Sequence, residues 1–221
     1  MTKFAGFDSG VREWFRGLEA DNSRTYFTAH RDFFENSIRD QMEALLDELS
    51  AKLGGQVKLF RQNRDIRFSP DKSPYKTNTY GVIYGSELGA LYASISARGL
   101  IAGSGYHMME RDQLERYRES VADDRRGPEL EKLAAKAQKA GLDLWGESVA
   151  TAPRGYPKDH ARIELLRRKS LSLGATLDFG TGIGRADGLQ FVTRTWRAAA
   201  PVTGWLDAHV GASGEPSRRR R

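Results

Sequence analysis

Residues 22–49 of the chain read NSRTYFTAHRDFFENSIRDQMEALLDEL, with apolar or aromatic side chains at three- and four-residue spacing. From Tyr26 to Leu49 this spacing places the apolar side chains on one continuous face and predicts a single long amphipathic helix. Asp21–Ser23 supplies capping side chains before it, and Gly54–Gly55 ends it. A helix with such a face must pack on a sheet or on other helices.

The segments that follow are short and rich in β-branched and aromatic residues. Val57–Arg67, Tyr80–Tyr84 and Leu91–Ile101 carry such residues between turn formers, which predicts an antiparallel meander. Helical spacing returns over Glu110–Asp123 and again after Pro128. We therefore predict an α+β fold, in which an antiparallel sheet of roughly four to six strands packs against the long N-terminal helix and several further helices.

Length and charge favour one domain with a basic tail. The chain has 221 residues, 39% of them hydrophobic, which suits a single α+β domain over residues 1–210. The net charge is +6, but Arg218–Arg221 supply four positive charges from a Gly/Ser/Pro-rich tail, residues 211–221, that we expect to be disordered. Without these four arginines the chain carries +2, so a broad basic face for non-specific DNA binding is not expected.

Several common chemistries are excluded by residue types. The chain has no cysteine, which rules out disulfides, thiol nucleophiles and cysteine-based zinc sites. Its four histidines lack the spacing of a transition-metal site, and the sequence leaves the identity of any cofactor unknown. It begins without a signal-peptide pattern, and Leu88–Gly105 is too polar to span a membrane. We expect a soluble, cytoplasmic protein without a membrane partner, and the sequence leaves its oligomeric state open.

The most specialised stretch is Arg64–Thr77, RDIRFSPDKSPYKT, which we call the proline loop. Its two prolines and a Ser-Pro-Asp-Lys turn lie between two predicted strands, so we expect a rigid loop. Guanidinium groups bind phosphate or carboxylate through two parallel hydrogen bonds, and lysine adds a mobile point charge. The loop is therefore suited to an anionic ligand.

Motifs along the chain resemble one known family. Trp14-Phe15 and Leu18 precede an aromatic helix, and the proline loop follows as Arg-Asp-x-Arg-Phe-Ser-x-Asp-Lys-x-Pro-Tyr-Lys-Thr. A later segment reads Pro-Lys-Asp-His-x-x-Ile-x-Leu-Leu-x-x-Lys and ends at Lys169. Together they resemble a family of conserved hypothetical proteins of bacteria and fungi, domain of unknown function 2461, over roughly Phe4–Leu206. The resemblance implies a single domain and no particular reaction.

Our first hypothesis is a site that binds, and acts on, a phosphorylated small molecule or nucleotide. Asp65 and Asp71 would orient the cations or act as general bases, and His160 would act as an acid or base if it converges on the loop. The candidate ligand-binding residues are Arg64, Arg67, Lys72, Tyr75, Lys76 and Lys158.

Two alternatives stay open. The Arg64–Asp65 and Asp71–Lys72 pairs would brace the loop while Phe68 and Tyr75 anchor it to the core. The protein would otherwise be a non-catalytic module that binds nucleic acid or an acidic protein. A closed, partly apolar cleft would favour the first hypothesis, and a flat basic face reaching Arg167–Lys169 would favour the module.

Overall fold

The computed structural model describes residues 3–214, which form runs of helices and runs of strands. The helices are α1 (Ser9–Ala20), α2 (Arg24–Ala29), α3 (Arg31–Phe33), a π-helical stretch (Phe34–Arg39), α4 (Asp40–Leu53), α5 (Arg111–Ala122), α6 (Arg126–Lys139), α7 (Ile163–Leu166) and α8 (Arg185–His209). The strands are β1 (Gly6–Asp8), β2 (Gln56–Leu59), β3 (Asn78–Ser86), β4 (Gly89–Ser96), β5 (Gly99–Tyr106), β6 (Asp143–Trp145), β7 (Leu171–Asp178) and β8 (Gly182–Gly184). In the described part of the chain, no helix is long and apolar enough to cross a membrane.

Six strands form one sheet in the order β2-β3-β4-β5-β7-β6. The pairs β2–β3, β3–β4 and β6–β7 are antiparallel, and Tyr80 lies opposite Ser94 in the second of them. The short strands β1 and β8 pair with each other in a separate two-stranded sheet, with Phe7 opposite Ile183. The predicted α+β fold with an antiparallel sheet is therefore confirmed.

The contacts divide the described chain into two compact units. The first runs to Ala102 and includes Thr176–Arg194, and the second contains Gly103–Ala175 and the chain from Thr195 onward. Strands β5 and β7 and helix α8 contribute residues to both. The single domain expected over residues 1–210 stays a prediction. In the expected tail, residues 215–221, which include Arg218–Arg221, lie outside the described residues.

In the first unit, the expected long helix is interrupted. Helix α2 ends at Ala29. The next residue, His30, has a φ of −114° and a ψ of 18°, which leave the helical region, and the chain then continues through α3 and the π-helical stretch into α4. The indole Nε1 of Trp14 donates to the His30 carbonyl at 3.1 Å, a bond from another helix at the point of the break. The apolar face survives the break, since Phe27, Phe34 and Ile38 are all buried. Periodicity therefore identified the buried face but not the local hydrogen bonding.

Helix α4 packs closely on β3 in this unit. At Gly81 an added Cβ would lie 2.4 Å from Leu46 Cδ1, so the absence of a side chain on the strand allows the approach. Thr79 and Ile83, two residues to either side, are buried on the same face. The opposite face carries Tyr80, which stacks on Phe60 with ring centroids 4.7 Å apart. This arrangement fixes both strands that flank the proline loop.

The second unit has its own hydrophobic core around Tyr117, Leu166 and Trp205. Their polar atoms are satisfied, because the Tyr117 hydroxyl donates to Leu165 O at 3.0 Å and the Trp205 indole donates to Arg126 O at 3.1 Å. Buried aromatic side chains with bonded polar ends fix how the helices around them pack.

Candidate functional site

The proline loop returns on itself at its base. The Arg64 amide donates to Pro74 O at 2.9 Å, and the Lys76 amide donates to Gln62 O at 2.9 Å. The Gln62 side chain is buried, donates to the carbonyls of Lys76 and Asn78, and accepts from Thr79 Oγ1 at 2.9 Å. A buried amide with satisfied donors and acceptor holds the two ends of the loop together.

Tyr75 docks the loop onto the helices of the first unit. Its ring is 7% exposed and stacks on Phe27, with centroids 4.2 Å apart and planes 10° from parallel. Its backbone N–H donates to Asn22 Oδ1 at 3.0 Å, and its carbonyl accepts from Asn22 Nδ2 at 3.1 Å. The expectation that Tyr75 anchors the loop is confirmed.

The arginines of the loop pair with its two aspartates, but in a different combination from the expected one. Arg64 binds Asp71, and Arg67 binds Asp65 through Nε at 2.9 Å and Nη2 at 2.7 Å. The hydrogen bonds from Arg67 lower the pKa of Asp65 to about 2, and those from Arg64 and from Ser73 lower the pKa of Asp71. The expected pairing of neighbours, Arg64 with Asp65 and Asp71 with Lys72, is therefore wrong. The partners lie two residues apart in the Arg67–Asp65 pair and seven residues apart in the Arg64–Asp71 pair.

The two lysines of the loop bind backbone carbonyls. Lys72 Nζ donates to Ile66 O at 2.9 Å, which ties one side of the loop to the other. Lys76 Nζ donates to Arg61 O and to Asn63 O, the latter at 3.2 Å. Burial lowers the pKa of Lys76, and the charge of Arg61 acts in the same direction. Both ammonium groups therefore brace the loop.

A pocket of about 370 Å³ opens beside the loop base. It is lined by two cations, Arg64 and Lys76, by two acids, Glu19 and Asp71, and by the uncharged polar residues Asn22, Ser73, Tyr75, Thr77 and Asn78. The structure thus brings Arg64, Asp71, Tyr75 and Lys76 of the predicted site to one pocket. It places Asp65, Arg67 and Lys72 elsewhere on the loop.

Five residues of this pocket are absent from the site predicted from the sequence: Glu19, Asn22, Ser73, Thr77 and Asn78. Asn22 was assigned only to a helix cap, and Asn78 to no role, although both line the pocket. Asn22 contacts Tyr75, a residue 53 positions away, so no local pattern indicates the contact. Asn78 immediately follows the proline loop, and that proximity is the one signal that the sequence offered.

Phe68 is 89% exposed and does not line the pocket. The expectation that it anchors the loop to the core is therefore wrong. The physical reason is that the internal bonds of Arg67 and Lys72 hold this part of the loop together without a buried aromatic side chain.

The remaining predicted site residues, His160 and Lys158, belong to the second unit. The ring nitrogen Nδ1 of His160 accepts from the Arg162 backbone N–H at 3.0 Å, and the backbone N–H of His160 donates to Pro157 O at 3.2 Å. These two bonds stabilise a tight turn before α7. The convergence of His160 and Lys158 on the proline loop stays a prediction. Within residues 3–214, no group of three His, Asp or Glu side chains is placed to hold a metal ion.

Fold and site together define an α+β protein whose specialised part is a braced, charged loop beside a polar pocket. The chain belongs to the family described as conserved hypothetical protein (DUF2461), whose model matches residues 11–205. The resemblance drawn from the motifs is thereby confirmed. None of the curated proteins compared with the chain matches it.

Proposed function

We propose that this protein binds a small phosphate-bearing molecule in the pocket beside the proline loop. The observation that carries the proposal is the convergence of Arg64 and Lys76 on one pocket, together with the hydroxyls of Ser73 and Thr77 and the amide of Asn78. Cations and neutral donors on a shaped concave surface are the groups that recognise phosphate oxygens. A volume of about 370 Å³ is of the size that a small metabolite fills.

Arg64 is the principal ligand in this proposal. Its side chain is 27% exposed, with Nη1 on Asp71 and Nη2 3.4 Å from Ser69 Oγ. Asp71 is 57% exposed, so water already competes for its carboxylate. An incoming phosphate would replace that carboxylate on a guanidinium that is already positioned.

Lys76 is the second ligand. Two of its three ammonium protons bind the carbonyls of Arg61 and Asn63, which orients the third. Burial disfavours its charged form, and a phosphate beside it would offset that cost. Arg67 and Lys72 have structural roles in this proposal, so the site uses two of the four cations of the loop.

The geometry supports binding more strongly than proton transfer. A general base works best with a pKa near the operating pH, whereas Asp65 has a pKa of about 2 and that of Asp71 is also lowered. Neither carboxylate is an effective base at neutral pH. We therefore propose a binding site and assign no catalytic role to these two residues.

Titration calorimetry with a sugar phosphate and with inorganic phosphate tests the proposal. Arg64→Met removes the guanidinium and should abolish binding, while Asp71→Asn removes the competing carboxylate and should tighten it. Arg39→Met is the matched control, because Arg39 is half-exposed and pairs with Glu35 on the π-helical stretch, away from the pocket. Binding that is lost equally in Arg64→Met and Arg39→Met, or no binding of either compound, would reject the proposal.

The module that binds nucleic acid or an acidic protein remains the competing proposal. Binding of a polyanion through many phosphates weakens steeply as salt rises, whereas one phosphate at two cations has a shallow salt dependence. Measuring affinity at two salt concentrations therefore separates the proposals. A cytoplasmic location stays part of our proposal, consistent with a chain free of cysteine, and cell fractionation tests it.

A further inference from the structure

Phe68 is the most exposed of the large hydrophobic side chains in the described part of the chain. It is 89% exposed, against 51% for Met108 and 48% for Tyr84. The chain around it is held in place, since Lys72 binds the Ile66 carbonyl and the Ser69 hydroxyl lies 3.4 Å from Arg64 Nη2. A braced loop that presents an aromatic ring to water gains apolar burial only when something covers the ring.

Phe68 is connected to the pocket through its neighbour. Ser69 directly follows it, and the Ser69 hydroxyl contacts the same Arg64 guanidinium that lines the pocket and binds Asp71. Adjacent Cα atoms lie about 3.8 Å apart, so the backbone that carries the ring is one residue from a side chain in contact with Arg64. A ligand that used both groups would have its anionic end at Arg64 and its other end on this ring.

The charged groups beside the Phe68 ring indicate which kind of ligand would stack on it. Arg67 Cζ lies 6.0 Å from the ring centroid, and Arg67 is paired with Asp65. An extended apolar surface over the ring would also bury these charges, which costs desolvation free energy. A planar heterocycle avoids that cost, because its apolar face can cover the ring while its polar edges stay beside the charges. The other aromatic residue of the loop, Tyr75, is already stacked on Phe27. Phe68 is therefore the aromatic residue of the loop whose ring is exposed for stacking.

We infer that the ligand is a nucleotide, with its phosphate at Arg64 and Lys76 and its base stacked on Phe68. The inference rests on the proposed phosphate site and adds the chemical class of the ligand. A free nucleotide and a nucleotide unit of a single strand share this chemistry. Stacking on an aromatic side chain accepts any base, because every base has a π face.

The test compares adenosine 5′-monophosphate with ribose 5-phosphate by titration calorimetry, using the full chain and three variants. Phe68→Ala removes the ring, Phe68→Trp keeps a stacking surface, and Tyr84→Ala is the control for loss of an exposed aromatic residue. We expect the nucleotide to bind more tightly than the sugar phosphate. Phe68→Ala should weaken nucleotide binding by about fivefold to 150-fold, the range for one stacked base, and leave ribose 5-phosphate unchanged. Phe68→Trp and Tyr84→Ala should both retain nucleotide binding.

The outcomes distinguish failure of the phosphate site from failure of base stacking on Phe68. Equal affinities for the two compounds, unchanged by Phe68→Ala, would overturn the inference and leave the phosphate site standing. Binding of neither compound would overturn both. A short single-stranded oligonucleotide that binds more tightly than the mononucleotide, and weakens equally in Phe68→Ala, would support base stacking and identify a strand as the source of the nucleotide.

Discussion

Replacing Asn22 with alanine should loosen the proline loop from the helices of the first unit. The Asn22 side chain makes two hydrogen bonds to one residue, accepting from the Tyr75 N–H at 3.0 Å and donating to the Tyr75 carbonyl at 3.1 Å. Each bond contributes about 1 kcal/mol net, so we expect a loss of about 2 kcal/mol in the free energy of unfolding. The loss would be larger if water fails to reach the freed Tyr75 groups.

Two measurements check this value. Urea unfolding should give a midpoint lower by about 1 M, since slopes for small proteins are about 1–3 kcal/mol per molar urea. If the loop opens locally, hydrogen exchange at the Tyr75 amide should accelerate by about 30-fold, the ratio that corresponds to 2 kcal/mol. Asn22→Asp keeps the acceptor for the N–H and loses the donor to the carbonyl, so we expect an intermediate loss.

Asn36→Ala is the control for this prediction. Asn36 is exposed, and its amide makes one bond, to Asp32 O at 2.8 Å within the helical segment. Alanine has the higher helix propensity, so the two effects should cancel to within about 0.5 kcal/mol. The reasoning is refuted if Asn22→Ala and Asn36→Ala unfold at the same urea concentration and the Tyr75 amide keeps its protection.

Three further changes probe other parts of the structure. Gly17→Ala places a Cβ 2.0 Å from the Tyr26 hydroxyl oxygen and should cost about 1–3 kcal/mol in urea unfolding; wild-type stability would mean that the ring moves aside freely. Tyr117→Phe removes the bond to Leu165 O and should cost about 1 kcal/mol, which an unchanged midpoint would contradict. The carboxyl of Asp65 should titrate in the folded protein with a pKa of about 2, below its unfolded value of about 3.9. Its ion pair therefore stabilises the fold above about pH 4 and is lost as the pH falls through about 2, and an NMR midpoint near 4 would show that the pair does not form.

The starts of helices α1 and α2 carry local signals in the sequence. Asp8 caps α1 by accepting from the Gly10 amide at 2.7 Å, and Ser23 caps α2 by accepting from the Tyr26 amide at 3.1 Å. Capping depends on residues within one turn, so it is visible in a short stretch. The break at His30 was not visible, because its cause includes a bond from the Trp14 side chain 16 residues away.

Strand β8 was missed for the same reason. Gly182–Gly184 has the composition of a flexible turn, which does not predict a strand. It becomes a strand by pairing with β1, at the opposite end of the sequence. At Gly6 the approach is so close that an added Cβ would lie 2.5 Å from the Ile183 carbonyl oxygen. A pairing between distant segments leaves no pattern within either of them.

For the site, the sequence predicted which loop is specialised but not which of its charges face the pocket. Four cations and two acids within 13 positions allow several pairings, and side-chain directions decide among them. Arg64 binds Asp71 across seven residues, which leaves Arg67 to bind Asp65, and neither member of that second pair lines the pocket. Only tertiary structure distinguishes these pairings, because the charges are equivalent in the sequence.

The two hypotheses about the loop, a structural network or a ligand clamp, describe different parts of it. Gln62, Tyr75 and Asn22 fix the loop base through buried or half-buried bonds, and these bonds hold Arg64 and Lys76 at the pocket before any ligand arrives. A site positioned in advance loses less entropy on binding, so bracing strengthens a clamp. Asn22→Ala should therefore weaken phosphate binding as well as stability, although in our proposal its side chain need not contact the phosphate. If that variant lost about 2 kcal/mol of stability but bound phosphate as tightly as the wild type, the bracing would be independent of the site.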